Sequence, residues 1–121
     1  MSYGAQAYAR TAQKIATPRD IEAQALFKAI RKLQEVIDQW AETDAGLTDA
    51  LMFNRKLWSI FVSDAMSDSN PEQIEIRQNI ANIGIFVLTQ CTALQLKPEV
   101  DKLKTLIEIN RNIAAGLNGQ R

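Results

Sequence analysis

Apolar residues recur at spacings of three and four along nearly the whole chain, and no stretch alternates with the period of two that a half-buried strand requires. That periodicity confines the chain to helices. Punctuation is sparse, with five Gly and three Pro in 121 residues, and each Pro stands where a helix can begin. Thr17-Pro18-Arg19-Asp20 reads as an N-cap, a Pro at the first helical position and an acid at the third. Asn70-Pro71-Glu72-Gln73 repeats the arrangement, with Gln73 able to reach back to the cap. Pro98-Glu99 opens a last helix, although Lys97 is a poor cap.

The pattern predicts a short helix near Tyr3 to Ile15, then four main ones: Pro18 to Trp40, Thr48 to Met66, Pro71 to about Leu96, and Pro98 to about Ala115. Ser67 to Asn70 forms a turn, Gly116 reads as a C-terminal stop, and Asn118 to Arg121 as a frayed end. The expectation is an all-α antiparallel helical bundle of four main helices with a short N-terminal helix. It forms one domain over residues 1–121, with residues 1–16 as a separable N-terminal segment. Ile21, Ala25, Leu26, Ala29, Ile30, Leu33 and Ile37 make one core stripe, and Leu51, Leu57, Trp58, Phe61 and Val62 another. The helix from Pro71 is apolar most of the way round, carrying Ile76, Ile80, Ile83, Val87 and Leu94 together with Ile85, Phe86 and Leu88. Such a helix belongs at the centre of a bundle or has a face waiting for a partner.

Composition removes whole classes of chemistry. The chain has no His, so Ser-His-Asp and Cys-His catalysis, His metal sites and a His pH switch cannot be built. Cys91 is the single cysteine, unable to close an intrachain disulfide or a zinc cluster, and suits a reducing cytoplasm. We expect no enzymatic activity, no metal and no cofactor. Fourteen Lys+Arg balance fourteen Asp+Glu, so the basic excess from which a general nucleic-acid binder draws affinity is missing. The wholly apolar run Ile83 to Leu88 is far too short to span a bilayer. The segment after Met1 is polar and Ala-rich, unlike a secretion signal. A cytoplasmic protein is the expectation.

Some residues fit a plain bundle less easily. Asn54 and Asn110 interrupt apolar stripes, and a buried amide without partners costs about 1–3 kcal/mol. Each is therefore hydrogen-bonded or exposed. Either they form a network that fixes helix register, or one of them lines a groove and bonds a partner's backbone. Trp58 with Phe61 is core or a recognition anchor. Tyr3 and Tyr8 pack the short N-terminal helix or belong to a displaceable cover. Lys28, Arg31 and Lys32, followed by Glu35, Asp38, Glu42, Asp44 and Asp49, make a solvated face or a surface that steers a charged partner.

The run Asn54-Arg55-Lys56-Leu57-Trp58-Ser59-Ile60-Phe61 resembles the central signature of the FlaF family, bacterial regulators of flagellum biosynthesis. The likeness continues through Asn70-Pro71, Arg77-Gln78-Asn79-Ile80 and Phe86 and ends in Leu106-Ile107-Glu108-Ile109-Asn110-Arg111-Asn112-Ile113-Ala114-Ala115-Gly116-Leu117. Tyr3 and Tyr8 fit the family's opening. The resemblance implies a small cytoplasmic protein needed for flagellin to be made and exported, acting with the flagellin regulator FlbT. Two mechanisms are open under it: a chaperone for flagellin export, or a positive regulator of flagellin translation working with FlbT at flagellin mRNA. A shorter likeness, in Tyr8, Thr17-Pro18-Arg19-Asp20-Ile21 and Leu26-Phe27-Lys28-Ala29-Ile30, is similar to the opening of the flagellin export chaperone FliS. It favours the first. The expected partner is then a terminal helical segment of flagellin, with FlbT as a further partner, no membrane insertion and no direct contact with nucleic acid. The residues assigned to the partner surface are Asn54, Trp58, Asn110 and Arg111, with Tyr3 and Tyr8 on the cover.

Overall fold

The structure is a computed structural model that describes residues 18–40 and 46–119. Among these residues every regular element is a helix: α1 (Pro18–Asp38), α2 (Leu47–Ala65), α3 (Ile74–Leu96) and α4 (Val100–Gly119). The all-α bundle expected from periodicity is what forms. The proposed helix near Tyr3 to Ile15 lies outside the described residues, as do Thr17 and residues 120–121; of the end read as frayed from Asn118, residues 118–119 belong to α4.

Short connections force neighbouring helices antiparallel, so the order runs up, down, up, down. The helices form a ring rather than a filled square. α1 packs along α4, α2 packs along α3, α1 and α2 meet less extensively, and α3 and α4 make the thinnest contact of the four. Leu26, Ala29 and Leu33 of α1, Leu51 and Trp58 of α2, Val87 and Leu94 of α3, and Leu103 and Leu106 of α4 are fully buried at the centre. Each such Leu or Val contributes roughly 1.5–3 kcal/mol relative to exposure.

Pro18 opens α1 where the N1 reading places it. Gly46 precedes α2 with φ 74°, a left-handed conformation that a side chain would strain. Three expectations about helix ends are corrected. α3 starts at Ile74, not Pro71, and its N-cap Gln73 makes no side-chain cap bond. Asn70 instead spends its side chain on a local turn: its Oδ1 accepts the Glu72 N–H at 2.8 Å, and its Nδ2 donates to the Asp64 carbonyl at 2.9 Å. An Asx turn satisfies the same backbone donors that a capping box would, so both fit Asn-Pro-Glu-Gln equally well. α4 starts at Val100, not Pro98, with the Leu103 N–H bonded back to the Glu99 carbonyl at 3.2 Å. Gly116 is not a stop. The helix continues to Gly119, because Ala114 and Leu117 pack on the core and carry the last turn past it.

α3 is not the central helix. Only Gly84, Val87, Cys91 and Leu94 are buried on it, while Ile74, Ile76, Ile85, Phe86 and Leu96 are exposed. By length and composition alone α3 is long and apolar enough to cross a membrane. Its stretch also carries Asn79, Asn82, Gln90 and Gln95, amide side chains that are costly to place in lipid.

Candidate functional site

The two amides expected to be bonded or exposed are both buried and bonded. Asn54, Trp58 and Asn110 each have 0% exposure. The indole Nε1–H is a donor only, so it fixes the direction of everything behind it. It donates to Asn110 Oδ1 at 2.8 Å, which turns the Asn110 amide NH₂ toward Asn54 Oδ1 at 2.7 Å. The Asn54 NH₂ then points at the Cys91 thiol, 3.6 Å away. The chain of bonds joins α2, α3 and α4 through the middle of the bundle. Two of its bonds cross the ring from α2 to α4, a pair of helices that do not otherwise pack, and supply direction where apolar packing supplies none. Phe61 sits edge-on to Trp58, with ring centroids 5.1 Å apart. Burial raises the Cys91 pKa, partly offset by the Asn54 hydrogen bond and the Arg55 charge. The thiol is thus kept neutral and unreactive.

These positions place Asn54, Trp58 and Asn110 inside the core, where a molecule on the surface does not touch them. Arg111 follows Asn110 on α4 and is exposed. Tyr3 and Tyr8 lie outside the described residues. The expected partner-facing set is therefore not brought together: three members form the buried bond chain, one faces solvent elsewhere.

The basic cluster on α1 turns inward along α2 more than a solvated face would. Lys32 Nζ lies 2.7 Å from Asp49 Oδ2, and both Lys28 and Lys32 stand over the Phe53 ring, at 5.3 and 5.5 Å. At the other end of the α1–α2 seam, Arg19 meets Glu72 at 3.0 Å. Glu22 nearby has a raised pKa, first because it is desolvated and then because Asp64 faces it, with Arg19 pulling the other way. Among the described residues, no three carboxylates or thiols gather as a metal ion would need.

Two residues that the sequence left without a role turn out to position α3. Arg77 donates from Nε to the Ala65 carbonyl at 2.7 Å and from Nη2 to the Ser67 carbonyl at 2.9 Å, placing its charge on the carbonyl end of α2. Gly84 lies so close to α2 that a Cβ there would run into the Val62 side chain and crowd Trp58. A glycine inside an apolar helical run is the signal that points to such an approach.

With the Gly84 and Arg77 flank committed to α2, helical phase turns the opposite flank of α3 toward α4. That flank carries Ile76, Ile83, Phe86 and Gln90, beside the half-buried Ile80. On α4, Ile109, Ile113 and Leu117 follow at spacings of four, partly buried against the core. Contact between the helices that carry these two apolar flanks is the thinnest in the ring, and the space between the flanks is referred to as the α3–α4 cleft. No residue from Gln78 to Leu96 carries a charge, and Phe86 and Ile76 are both 45% exposed. Charge depletion with exposed aromatic and branched side chains is the composition of an interface centre.

No curated protein and no solved structure matches the chain. The short likeness of its N-terminal part to FliS therefore gains no support. A family model described as Flagellar protein FlaF matches residues 4–117, nearly the whole chain. The chain belongs to the FlaF family of flagellar proteins.

Proposed function

We propose that this protein is a cytoplasmic flagellin-binding export chaperone, neither an enzyme nor dependent on a cofactor, which receives a terminal helical segment of flagellin in the cleft between α3 and α4. Family membership supports a flagellar role. The observation that carries the binding mode is the uncharged flank of α3, with Ile76, Ile83 and Phe86 facing a helix it hardly touches. An amphipathic helix laid there completes the ring and buries these residues, with anchors at spacings of three and four. Flagellin polymerises through terminal helices, so covering one of them keeps the subunit unassembled until export. The partner's contacting face must itself be uncharged, because a charge pressed against α3 would meet no counter-charge.

The alternative is a positive regulator of flagellin translation acting with FlbT. Direct binding to mRNA predicts a basic face with stacking aromatics. Two of the three clustered cations stand against Phe53, and one of those two is also bridged to Asp49. Titration calorimetry of the purified protein with full-length flagellin, C-terminally truncated flagellin and FlbT separates the readings. One-to-one binding to flagellin that is lost on truncation supports the chaperone. Binding to FlbT alone, with none to flagellin, overturns it in favour of the adaptor role.

A further inference from the structure

Besides the flank turned toward α4, α3 leaves a second apolar stripe uncovered. Ile74, Ile85 and Leu96 are 54%, 56% and 85% exposed, and they stand eleven residues apart, close to three helical turns. They therefore share one side of the helix. Ile85 lies about 100° round α3 from Phe86, so this side is separate from the cleft. Exposed apolar residues scattered singly are ordinary, but these three are evenly spaced on a helix that carries no charge from Gln78 to Leu96. The stripe also reads alike in both directions from Ile85. Ala81 and Thr89 stand four residues away on either hand, Gln78 and Thr92 seven, Ile74 and Leu96 eleven. Large apolar side chains hold the middle and both ends, with small or uncharged ones between. Thr89 and Thr92 donate their hydroxyls to the Ile85 and Leu88 carbonyls at 2.9 and 3.2 Å, so neither needs an acceptor from outside. Arg77 is held at the carbonyl end of α2, and the next charges along the chain are Glu75 at one end and Lys97 at the other, both exposed.

A contact between two copies across a two-fold axis uses one surface twice, so that surface must fit itself when reversed. This stripe does. Turned end over end about Ile85, it sets Ile74 against Leu96, Ala81 against Thr89 and Gln78 against Thr92. Reversal also brings Lys97 of each copy within one turn of the level of Glu75 on the other. We propose that α3 packs antiparallel against α3 of a second copy of this chain, with Ile85 on the two-fold axis. The strip is roughly 33 Å long and about 10 Å wide on each copy, at the small end of specific interfaces. The dimer is accordingly reversible and forms at micromolar concentrations and above. It uses none of Ile76, Ile83 and Phe86, and it does not rest on the flagellin reading.

The test uses the full chain and no flagellin. Sedimentation equilibrium over a wide concentration range should show a mass rising from the 13.6 kDa of one chain toward twice that value. Ile85→Asp sets two carboxylates face to face on the axis and should hold the mass at one chain. Ile60→Asp, on the outer face of α2, should leave the dimer intact. Circular dichroism checks that Ile85→Asp is folded, as expected for a residue more than half exposed. Cysteine pairing reads the register and decides alone if that variant does not fold; native Cys91 is 1% exposed and stays out of the reaction. Under mild oxidation Ile85→Cys chains should link to one another. Ile74→Cys and Leu96→Cys chains should link when mixed, and neither to itself. A mass of one chain at every concentration overturns the proposal, as does a dimer that survives Ile85→Asp. So does self-linking of Ile74→Cys as readily as mixed pairing, which a parallel contact would produce.

Discussion

At the residue scale, the bond chain from Trp58 through Asn110 and Asn54 to Cys91 decides how α4 sits against α2 and α3. Asn110 serves two strong partners, whereas Asn54 serves one amide and a weak sulfur acceptor. Asn110→Leu therefore orphans both the Trp58 N–H and the Asn54 carbonyl, at about 1–3 kcal/mol each, and Asn54→Leu costs less. Urea unfolding of the two variants checks the order; equal losses would show that volume, not hydrogen bonding, matters at these sites. Glu22 makes a prediction of opposite sign. Its folded pKa is raised, so the folded state binds the proton more tightly than the unfolded chain. Its contribution is favourable at low pH and is lost as pH rises through the folded value. Glu22→Gln should raise the Tm at pH 7 and change little near pH 4, about the pKa of a free Glu. A Tm gain that is the same at both pH values would contradict the assignment. The sequence shows that two amides interrupt apolar stripes and must be bonded or exposed. It does not show that they bond each other, because Asn54 and Asn110 are 56 residues apart and only the ring of helices brings them together.

At the element scale, the four helices and most of their inward stripes were legible because each stripe repeats over several turns and the sum of many positions outweighs any one; Ile21, read into the first stripe, is instead 59% exposed. Helix starts were less so. Asn70-Pro71-Glu72-Gln73 offers its backbone two equally good local solutions, and the choice of an Asx turn depends on the Asp64 carbonyl, which arrives from another helix. Gly116 misleads for a similar reason: the packing of Ala114 and Leu117 carries the helix through a residue that would end it in isolation. The role of α3 was legible as an alternative, central or with a face waiting for a partner, and the exposure of Ile76, Ile85 and Phe86 removes the first. Gly84 is the test of how α3 is held. Gly84→Ala gains up to about 1 kcal/mol in helix propensity but drives a methyl into Val62. Overpacking costs about 1–3 kcal/mol, so the net effect is destabilising, and Gly84→Ala combined with Val62→Ala should recover most of it. Thermal denaturation reads both. A stabilised single variant would mean that α3 lies farther from α2 than described.

At the scale of the whole molecule, three sides of the ring are closed by extensive helix packing, the fourth by a thin contact between α3 and α4, and a line of hydrogen bonds from α2 to α4 crosses the middle. The candidate surface was legible only in part. Ile76, Ile80, Ile83 and Phe86 stood out as an apolar excess, yet the residues singled out for a partner were those of the family motifs. Three of these proved to be the buried bond chain, since a motif marks what a fold needs as readily as what a partner needs. The cleft's partner is best tested by the affinity of full-length flagellin, by calorimetry, for the Ile83→Asp/Phe86→Asp variant beside an Ile60→Asp control on the outer face of α2. Two anions in the cleft should weaken binding at least a hundredfold, the equivalent of about 2.7 kcal/mol, with the control unchanged. Binding that survives the cleft variant, or that falls only with the control, would contradict the account.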